Sequence, residues 1–89
     1  LAAAVRFRPD YGDACYTLGK LYQRQGRLRL ALPLLERAVR LLPDNDSAHY
    51  QLGRLYQRLG RHQEAGGQFR ITERLQLAAR EKARQAISP

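Results

Sequence analysis

A segment of 34 residues occurs twice in this chain, and this repeat constrains the fold more than any other feature. Residues 9–42 and 43–76 are identical at 15 of 34 positions when they are aligned. The identities cluster in the first half of each copy, as in Leu18-Gly19 with Leu52-Gly53. Such a period is typical of helical repeat proteins, whose units stack on one another. The repeat therefore predicts an all-α binding module with its functional surface in the first half of each copy.

The first residues of the chain resemble the end of a further copy. At the same 34-residue offset, Leu1 to Pro9 matches residues 35–43 in apolar and proline positions. We therefore expect residues 1–8 to be the end of a helix from a preceding repeat, and the chain to be a piece of a longer protein. With 89 residues, the chain is one domain at most.

Composition restricts the classes of function. The chain carries 16 Lys+Arg against 8 Asp+Glu, a net charge of +8 that favours an acidic partner or simply a basic, solvated surface. One cysteine excludes an internal disulfide and a zinc site built from cysteines alone. No apolar run is long enough to span a membrane. The single thiol fits a reducing compartment, so we expect a cytoplasmic location, with any targeting signal outside this chain.

Each copy is predicted to form two helices. Pro9 and Pro43 open the cycles, and Asp residues follow them where a helix begins (Asp10, Asp13, Asp44, Asp46). Gly26 and Gly60 are placed to end the first helix of each copy. Apolar residues at helical spacing predict inward faces on these first helices, namely Ala14, Cys15, Leu18, Leu21 and Tyr22 in copy one and Ala48, His49, Leu52, Leu55 and Tyr56 in copy two.

The second helices differ between the copies. The first is predicted over residues 27–42, bent but not ended by Pro33. The other begins near Arg61 and, because Leu77 stands where a proline would be expected, continues to Ser88-Pro89. Gly66-Gly67 lies inside it and is costly for a helix. We expect these glycines to allow close approach to the first helix of copy two.

The spacing of these residues resembles that of the tetratricopeptide repeat, whose pattern is L-G-x2-Y-x3-G-x4-A-x3-F-x2-A-x4-P. The first copy matches it at Leu18-Gly19, Tyr22, Gly26, Ala31, Leu35, Ala38 and Pro43, and the second at Leu52-Gly53, Tyr56, Gly60, Ala65 and Phe69. The resemblance implies a right-handed α-solenoid of antiparallel helix pairs. Gly19 and Gly53 would then let the two helices of a repeat approach closely, with Ala31 and Ala65 facing them.

The resemblance divides the chain into residues 1–8 (end of a preceding helix), 9–42 and 43–76 (two repeats) and 77–89 (extension of the last helix). Thr72, Glu73 and Leu77 depart from the pattern at the end of copy two, which suggests that the array ends here. We expect the extension to act as a cap, with a weak apolar face covering the end of the array.

Cys15 and His49 replace the large aromatic residue expected near the start of each first helix. Two such side chains on neighbouring helices are too few for zinc, which needs three or four ligands, and His62 lies in a turn. We interpret the pair as partly buried spacers. The sequence also lacks the motifs of hydrolases, zinc peptidases and phosphate-binding loops, so it predicts neither an enzyme nor a cofactor.

In the family, the first helices line a concave groove, and this groove is the candidate site. Both copies read Tyr, base, Arg at i, i+4 and i+8, which aligns these side chains on one helical face. The resemblance implies a protein or peptide partner, and the cations favour an acidic segment or a free C-terminal carboxylate. The candidate groove comprises Asp13, Tyr16, Thr17, Lys20, Gln23, Arg24, Ser47, Tyr50, Gln51, Arg54, Gln57 and Arg58.

Domains of this family that clamp chaperone C-termini carry Lys and Asn at set groove positions. Here Tyr16 stands in place of that Lys and Lys20 in place of that Asn, so the resemblance disfavours chaperone binding. In a further interpretation, Tyr16 and Tyr50 simply pack between repeats and the bases form a solvated face.

Three alternatives stay open at this level. The chain could be a structural segment for self-assembly of a longer array, or it could form a homodimer through apolar surface left uncovered beside the first repeat. Its charge also permits nucleic-acid binding. The sequence disfavours this last reading, because the bases are spread over both helices of each repeat and no base-reading module is present.

Overall fold

The computed structural model describes residues 11–87, with side chains as far as Ala86. These residues form four helices, α1 (Tyr11–Arg24), α2 (Leu28–Leu41), α3 (Asp46–Arg58) and α4 (His62–Ile87), and no strand. Short turns make consecutive helices antiparallel. The largest contacts join α1 to α2 and α3 to α4, and α2 packs on α3 to join the two pairs. The predicted all-α helical repeat solenoid is confirmed.

The turns within the two repeats are formed alike, as the repeated glycines predict. Gly26 has φ of +78° and Gly60 of +79°, the left-handed conformation that glycine adopts without a steric penalty. After α1, the Arg27 N–H donates to the Tyr22 carbonyl at 2.9 Å. After α3, the Arg61 N–H donates to the Tyr56 carbonyl at 2.8 Å. These bonds satisfy carbonyls that would otherwise lack partners at the helix ends.

The start of α3 differs from the prediction in detail. The capping residue is Asn45, whose Oδ1 accepts from the Ala48 N–H at 3.1 Å. Asp46 is the first helical residue and puts a carboxylate near the positive end of the helix dipole. The side chain that caps the helix is therefore that of Asn45, which lies between the two aspartates that were expected at the helix start. Asp10 and residues 1–8 lie outside the described residues.

Helix α2 continues through Pro33, as predicted, with the proline on its exposed side. Its inner face is buried through Ala31, Leu35 and Ala38. Because α2 packs on both α1 and α3, it joins the two repeats. The main apolar cluster joins Ala31 and Leu35 to Leu52 and Leu55 of α3.

Helix α4 is a single helix of 26 residues, which confirms the predicted long helix. The expectation for its glycines was wrong, because a Cβ built on Gly66 or Gly67 would meet no atom within 4 Å. From Gln76 to Ala86 every side chain is exposed. The capping role expected of residues 77–89 therefore stays a prediction to which these contacts add no support.

The two helices of a repeat do approach each other closely at Gly19 and Gly53, which are the helical glycines of the family pattern. A Cβ on Gly19 would lie 2.8 Å from Leu35 Cγ, and one on Gly53 would lie 2.6 Å from Phe69 Cε1. The facing residues are thus Leu35 and Phe69, one helical turn beyond the expected Ala31 and Ala65. Without a side chain at the glycine, the larger side chain of the second helix fits against the first.

The predicted inward face of α1 needs a correction. Cys15 is buried, but Leu18 and Leu21 are exposed, whereas the corresponding Leu52 and Leu55 of α3 are buried. The physical reason is that α3 lies between α2 and α4, while in the described residues α1 has α2 as its main neighbour.

No helix among the described residues 11–87 is both long enough and apolar enough to cross a membrane.

Candidate functional site

The candidate groove residues lie on α1 and α3 with unequal exposure. Most are open to solvent, and three are half-buried: Tyr16, Lys20 and Gln51. One member, Gln23, is buried. The exposed members are Asp13, Thr17 and Arg24 on α1 and Ser47, Tyr50, Arg54, Gln57 and Arg58 on α3.

A cation lies beside the tyrosine on each helix. The Lys20 Nζ is 5.7 Å from the centroid of the Tyr16 ring, and the Arg54 Cζ is 5.9 Å from the centroid of the Tyr50 ring. These are the i and i+4 neighbours of one helical face. The negative face of an aromatic ring attracts such a cation and holds it in place. Each helix therefore presents a phenol and a cation as one unit.

The two tyrosines are not equivalent in their surroundings. Tyr16 is half-buried and packs against both apolar clusters of the core. Tyr50 is 44% exposed, and its ring centroid lies 5.9 Å from that of Phe69 on α4. Tyr16 thus serves packing between the repeats, whereas Tyr50 is exposed to solvent and packs beside the half-buried Phe69. Phe69 was absent from the predicted site because it comes from the second helix, although the family pattern marks its position.

Gln23 requires a correction, because its side chain is only 5% exposed. Its Nε2 donates to the backbone carbonyl of Gln51 at 3.2 Å and to the Gln51 Oε1 at 3.3 Å. Its amide is therefore used to connect α1 to α3. A buried amide left without partners costs about 1–3 kcal/mol, so this contact is structural rather than available to a ligand.

Arg58 also connects the two repeats. Its Nη1 donates to the Gln23 carbonyl at 2.7 Å, in the last turn of α1. A cation is favourable there because it meets the negative end of the α1 dipole. No signal in the sequence distinguishes this arginine from Arg24 or Arg54, which make no hydrogen bond or ion pair within residues 11–87.

His49 is held by two polar contacts inside the second repeat. Its Nε2 lies 2.9 Å from the Pro43 carbonyl oxygen and its Nδ1 2.7 Å from the Gln68 Oε1. A carbonyl only accepts, so Nε2 must carry a proton, and the Gln68 amide can turn to suit Nδ1. Both ring nitrogens are thus committed to protein atoms. Within the described chain, no three His, Cys, Asp or Glu residues are close enough to hold a metal ion.

A hydrogen-bonded cluster lies at the boundary between the repeats. The Tyr56 hydroxyl donates to Glu36 Oε2 at 2.9 Å, and Arg61 Cζ lies 4.8 Å from the Tyr56 ring centroid. Burial, and secondly the bond to Glu36, raises the pKa of Tyr56 to about 12. Arg61 in turn binds Glu64 with two bonds of 2.6 and 2.7 Å, and this contact lowers the pKa of the Glu64 carboxyl. The cluster connects α2 to α3, and the charge of Arg61 is paired with that of Glu64.

Comparison with known proteins adds one finding. The family model described as Tetratricopeptide repeat matches residues 16–75, which include most of both helix pairs. A search among curated proteins found no match. The matched segment contains the glycines, tyrosines and alanines at the positions where the structure uses them for turns and close packing. Because this match covers well over half of the sequence, the chain belongs to the tetratricopeptide repeat family.

Proposed function

We propose that the chain is a non-catalytic interaction module that binds an acidic or carboxylate-bearing peptide segment along the candidate groove. Repeats of this family are generally protein–protein interaction modules, so binding of a protein is the expected class of function. The proposal that the bound segment is acidic is based on the solvent-exposed cations of α1 and α3. In the part of the chain that the structure describes, neither Arg24 nor Arg54 has an ion-pair partner.

The chemistry of these side chains favours a carboxylate. A guanidinium binds a carboxylate through two parallel hydrogen bonds, which gives both affinity and orientation. Arg54 is held near the Tyr50 ring, so it loses less conformational freedom on binding than a free arginine would. The exposed Tyr50 ring supplies apolar contact area beside it.

The charges of the candidate groove are distributed unevenly along α1 and α3. Its one acidic member, Asp13, lies in the first turn of α1, whereas Arg24 and Arg58 lie in the last turns of α1 and α3. Since α1 and α3 run in the same direction, the cations gather at one end and the carboxylate at the other. The acidic part of a ligand would therefore lie towards the C-terminal ends of these helices.

The test is binding of a fluorescently labelled peptide rich in Asp and Glu, with a free C-terminus, followed by anisotropy. The combined change Arg24→Glu with Arg54→Glu should weaken binding at least tenfold and reduce its dependence on salt. Arg58 is kept, because its bond to the Gln23 carbonyl would mix a change of fold with a change of affinity.

The matched control is Arg29→Glu with Arg40→Glu, which alters the net charge equally on exposed positions of α2. Its affinity should stay within about twofold of that of the unchanged chain. Equal losses in both variants would show general charge attraction and contradict the groove. Duplex DNA that binds more tightly than the peptide, and that is weakened by both variants alike, would favour the nucleic-acid alternative.

A further inference from the structure

The turns that follow α1 and α3 lie side by side, because the Arg58 Nη1 at the end of α3 donates to the Gln23 carbonyl in the last turn of α1. We call residues 24–30 and 58–64 the turn edge. These two segments contain five arginines and a single acidic residue, Glu64. Glu64 is already paired with Arg61. The other four arginines give this edge a positive charge that no ion pair within residues 11–87 compensates.

The two turns of this edge differ in the partner of an equivalent arginine. Arg61 is bound by Glu64, three residues later, through two hydrogen bonds of 2.6 and 2.7 Å. Arg27 is the corresponding residue of the first repeat, but Leu30 stands where the glutamate would be. The Leu30 side chain is 49% exposed. Where the second turn forms an ion pair, the first turn therefore exposes an unpaired cation and an apolar side chain.

Leu30 belongs to a larger apolar area. It lines an open hollow of about 430 Å³ together with Gly26, Arg27, Leu28, Arg29 and Leu59. Leu28 and Leu59 are half-buried and pack against the main apolar cluster, so they hold this area in place. Arg29, like Arg27, has no ion-pair partner in the described part of the chain. Apolar side chains and unpaired cations thus share one small surface, which favours a partner that is both apolar and anionic.

We propose that the turn edge is a docking surface for a lipid bilayer with anionic headgroups. The guanidinium groups bind the phosphates and carboxylates of the headgroups, whose negative potential attracts basic residues to the membrane surface. Leu30 lies at the boundary between headgroups and acyl chains, which removes its exposed area from water. This contact is peripheral and uses the ends of the helices, whereas the peptide of the proposed function lies along α1 and α3.

The composition of the edge favours a bilayer over a nucleic acid. The turn edge contains no Phe, Tyr or Trp. Proteins that bind single-stranded nucleic acids stack the bases on such rings. Binding to a duplex depends on phosphate contacts, to which the exposed Leu30 would add nothing. Nucleic acid is therefore the competing partner that the experiment must separate from the bilayer.

The first measurement is cosedimentation of the 89-residue chain with vesicles of phosphatidylcholine and phosphatidylserine at physiological salt. The partition coefficient should fall at least tenfold when phosphatidylserine is left out of the vesicles. The combined change Arg27→Glu with Arg29→Glu should also lower it at least tenfold.

The matched control is Arg40→Glu with Arg74→Glu, which alters the net charge equally on exposed positions. Each of these residues lies 12 residues beyond the first residue of its helix, α2 or α4. This distance is roughly 18 Å along the helix, about twice the Debye length at physiological salt. The control chain should therefore keep its partition coefficient within about twofold.

A second measurement tests contact of Leu30 with the acyl chains. The chain contains no tryptophan, so Leu30→Trp introduces a single fluorescent reporter. Its emission should shift to the blue with anionic vesicles and should be quenched by brominated acyl chains. Leu77→Trp, on an exposed leucine of α4, should show neither effect. Leu30→Glu, which repeats the ion pair of the second turn, should weaken vesicle binding at least tenfold.

Equal losses in the two double variants would show general charge attraction and overturn the proposal, as would absence of binding to the anionic vesicles. An unshifted Leu30→Trp emission from bound chains would do the same. Duplex DNA or single-stranded RNA that binds more tightly than vesicles, with an affinity that Leu30→Ser leaves unchanged, would assign the edge to nucleic acid. The Arg27→Glu with Arg29→Glu chain should bind the acidic peptide normally, so this proposal and that of the groove fail separately.

Discussion

The first helices of the two repeats are close to the same sequence but have different surroundings. Leu18, Leu21 and Tyr22 in α1 recur as Leu52, Leu55 and Tyr56 in α3, yet those of α3 are buried and the two leucines of α1 are exposed. The difference arises because α2 covers this side of α3. In a stacked repeat protein, the burial of a residue depends on whether the neighbouring unit is present as much as on the residue itself.

In the second helices of the two repeats, by contrast, the sequences differ as well as the surroundings. Helix α2 packs on both neighbours and is apolar on both sides, whereas α4 packs on α3 alone within the described chain. At the positions that correspond to Leu32 and Val39 of α2, α4 carries Gly66 and Glu73. The side of α4 that does not face α3 is therefore polar. The sequence of each second helix therefore follows the number of helices that it must contact. The sequences of α1 and α3 do not differ in this way.

The sharpest test of this comparison is truncation of the same leucine in each repeat. Leu55→Ala should lower the free energy of unfolding by about 2–5 kcal/mol, because it leaves a cavity in the main cluster. Leu21→Ala should change it by less than about 1 kcal/mol, because that side chain is largely in solvent. Urea unfolding followed by circular dichroism measures both. Losses of similar size would mean that the side of α1 that carries Leu21 is covered in solution.

The next largest effects on stability are expected from replacing two glycines by alanine, and these two changes should have opposite signs. Gly53→Ala would place a Cβ 2.6 Å from Phe69 and should destabilise the fold by about 1–3 kcal/mol. Gly66→Ala meets no atom within 4 Å and should stabilise α4 by up to about 1 kcal/mol through helix propensity. Melting temperatures of the two variants, compared with that of the unchanged chain, measure the signs. A destabilised Gly66→Ala chain would show that another surface packs against α4 at this point.

The smallest effect concerns the repeated tyrosines. Tyr56→Phe removes the hydrogen bond to Glu36 and should cost about 1 kcal/mol, while Tyr22→Phe should cost little. Because burial raises the pKa of Tyr56 to about 12, above the value of about 10 in an unfolded chain, its contribution is complete below pH 10. It is lost as the pH rises from 10 to 12.

Urea unfolding at pH 9 and pH 11 measures this dependence, and ultraviolet absorbance follows the phenol itself. The unchanged chain should lose more stability between these pH values than the Tyr56→Phe chain does, because the other alkaline titrations are common to both. An equal loss would assign the pH dependence to groups other than Tyr56. The Tyr22→Phe chain should behave like the unchanged one.

Much of the fold could be predicted because its signals are local. The left-handed glycines at 26 and 60 end the first helices, and the apolar spacing of α2 gives its buried face. The candidate site was predicted less completely. The pairing of Lys20 with Tyr16, and of Arg54 with Tyr50, follows from spacing along one helix. The roles of Gln23 and Arg58 depend on contacts 28 and 35 residues apart, which no periodicity specifies.

The sequence by itself determined the repeat, the helix order, the turns and the family, because all of these follow from the identity and spacing of residues along the chain. Only the tertiary structure decided which copies of the repeated residues are buried. Identical leucines and tyrosines have the same helix propensity and hydrophobicity wherever they occur. Their contribution differs because hydrophobic stabilisation requires a neighbour that removes the side chain from water, and α3 has such a neighbour on the side that α1 leaves open.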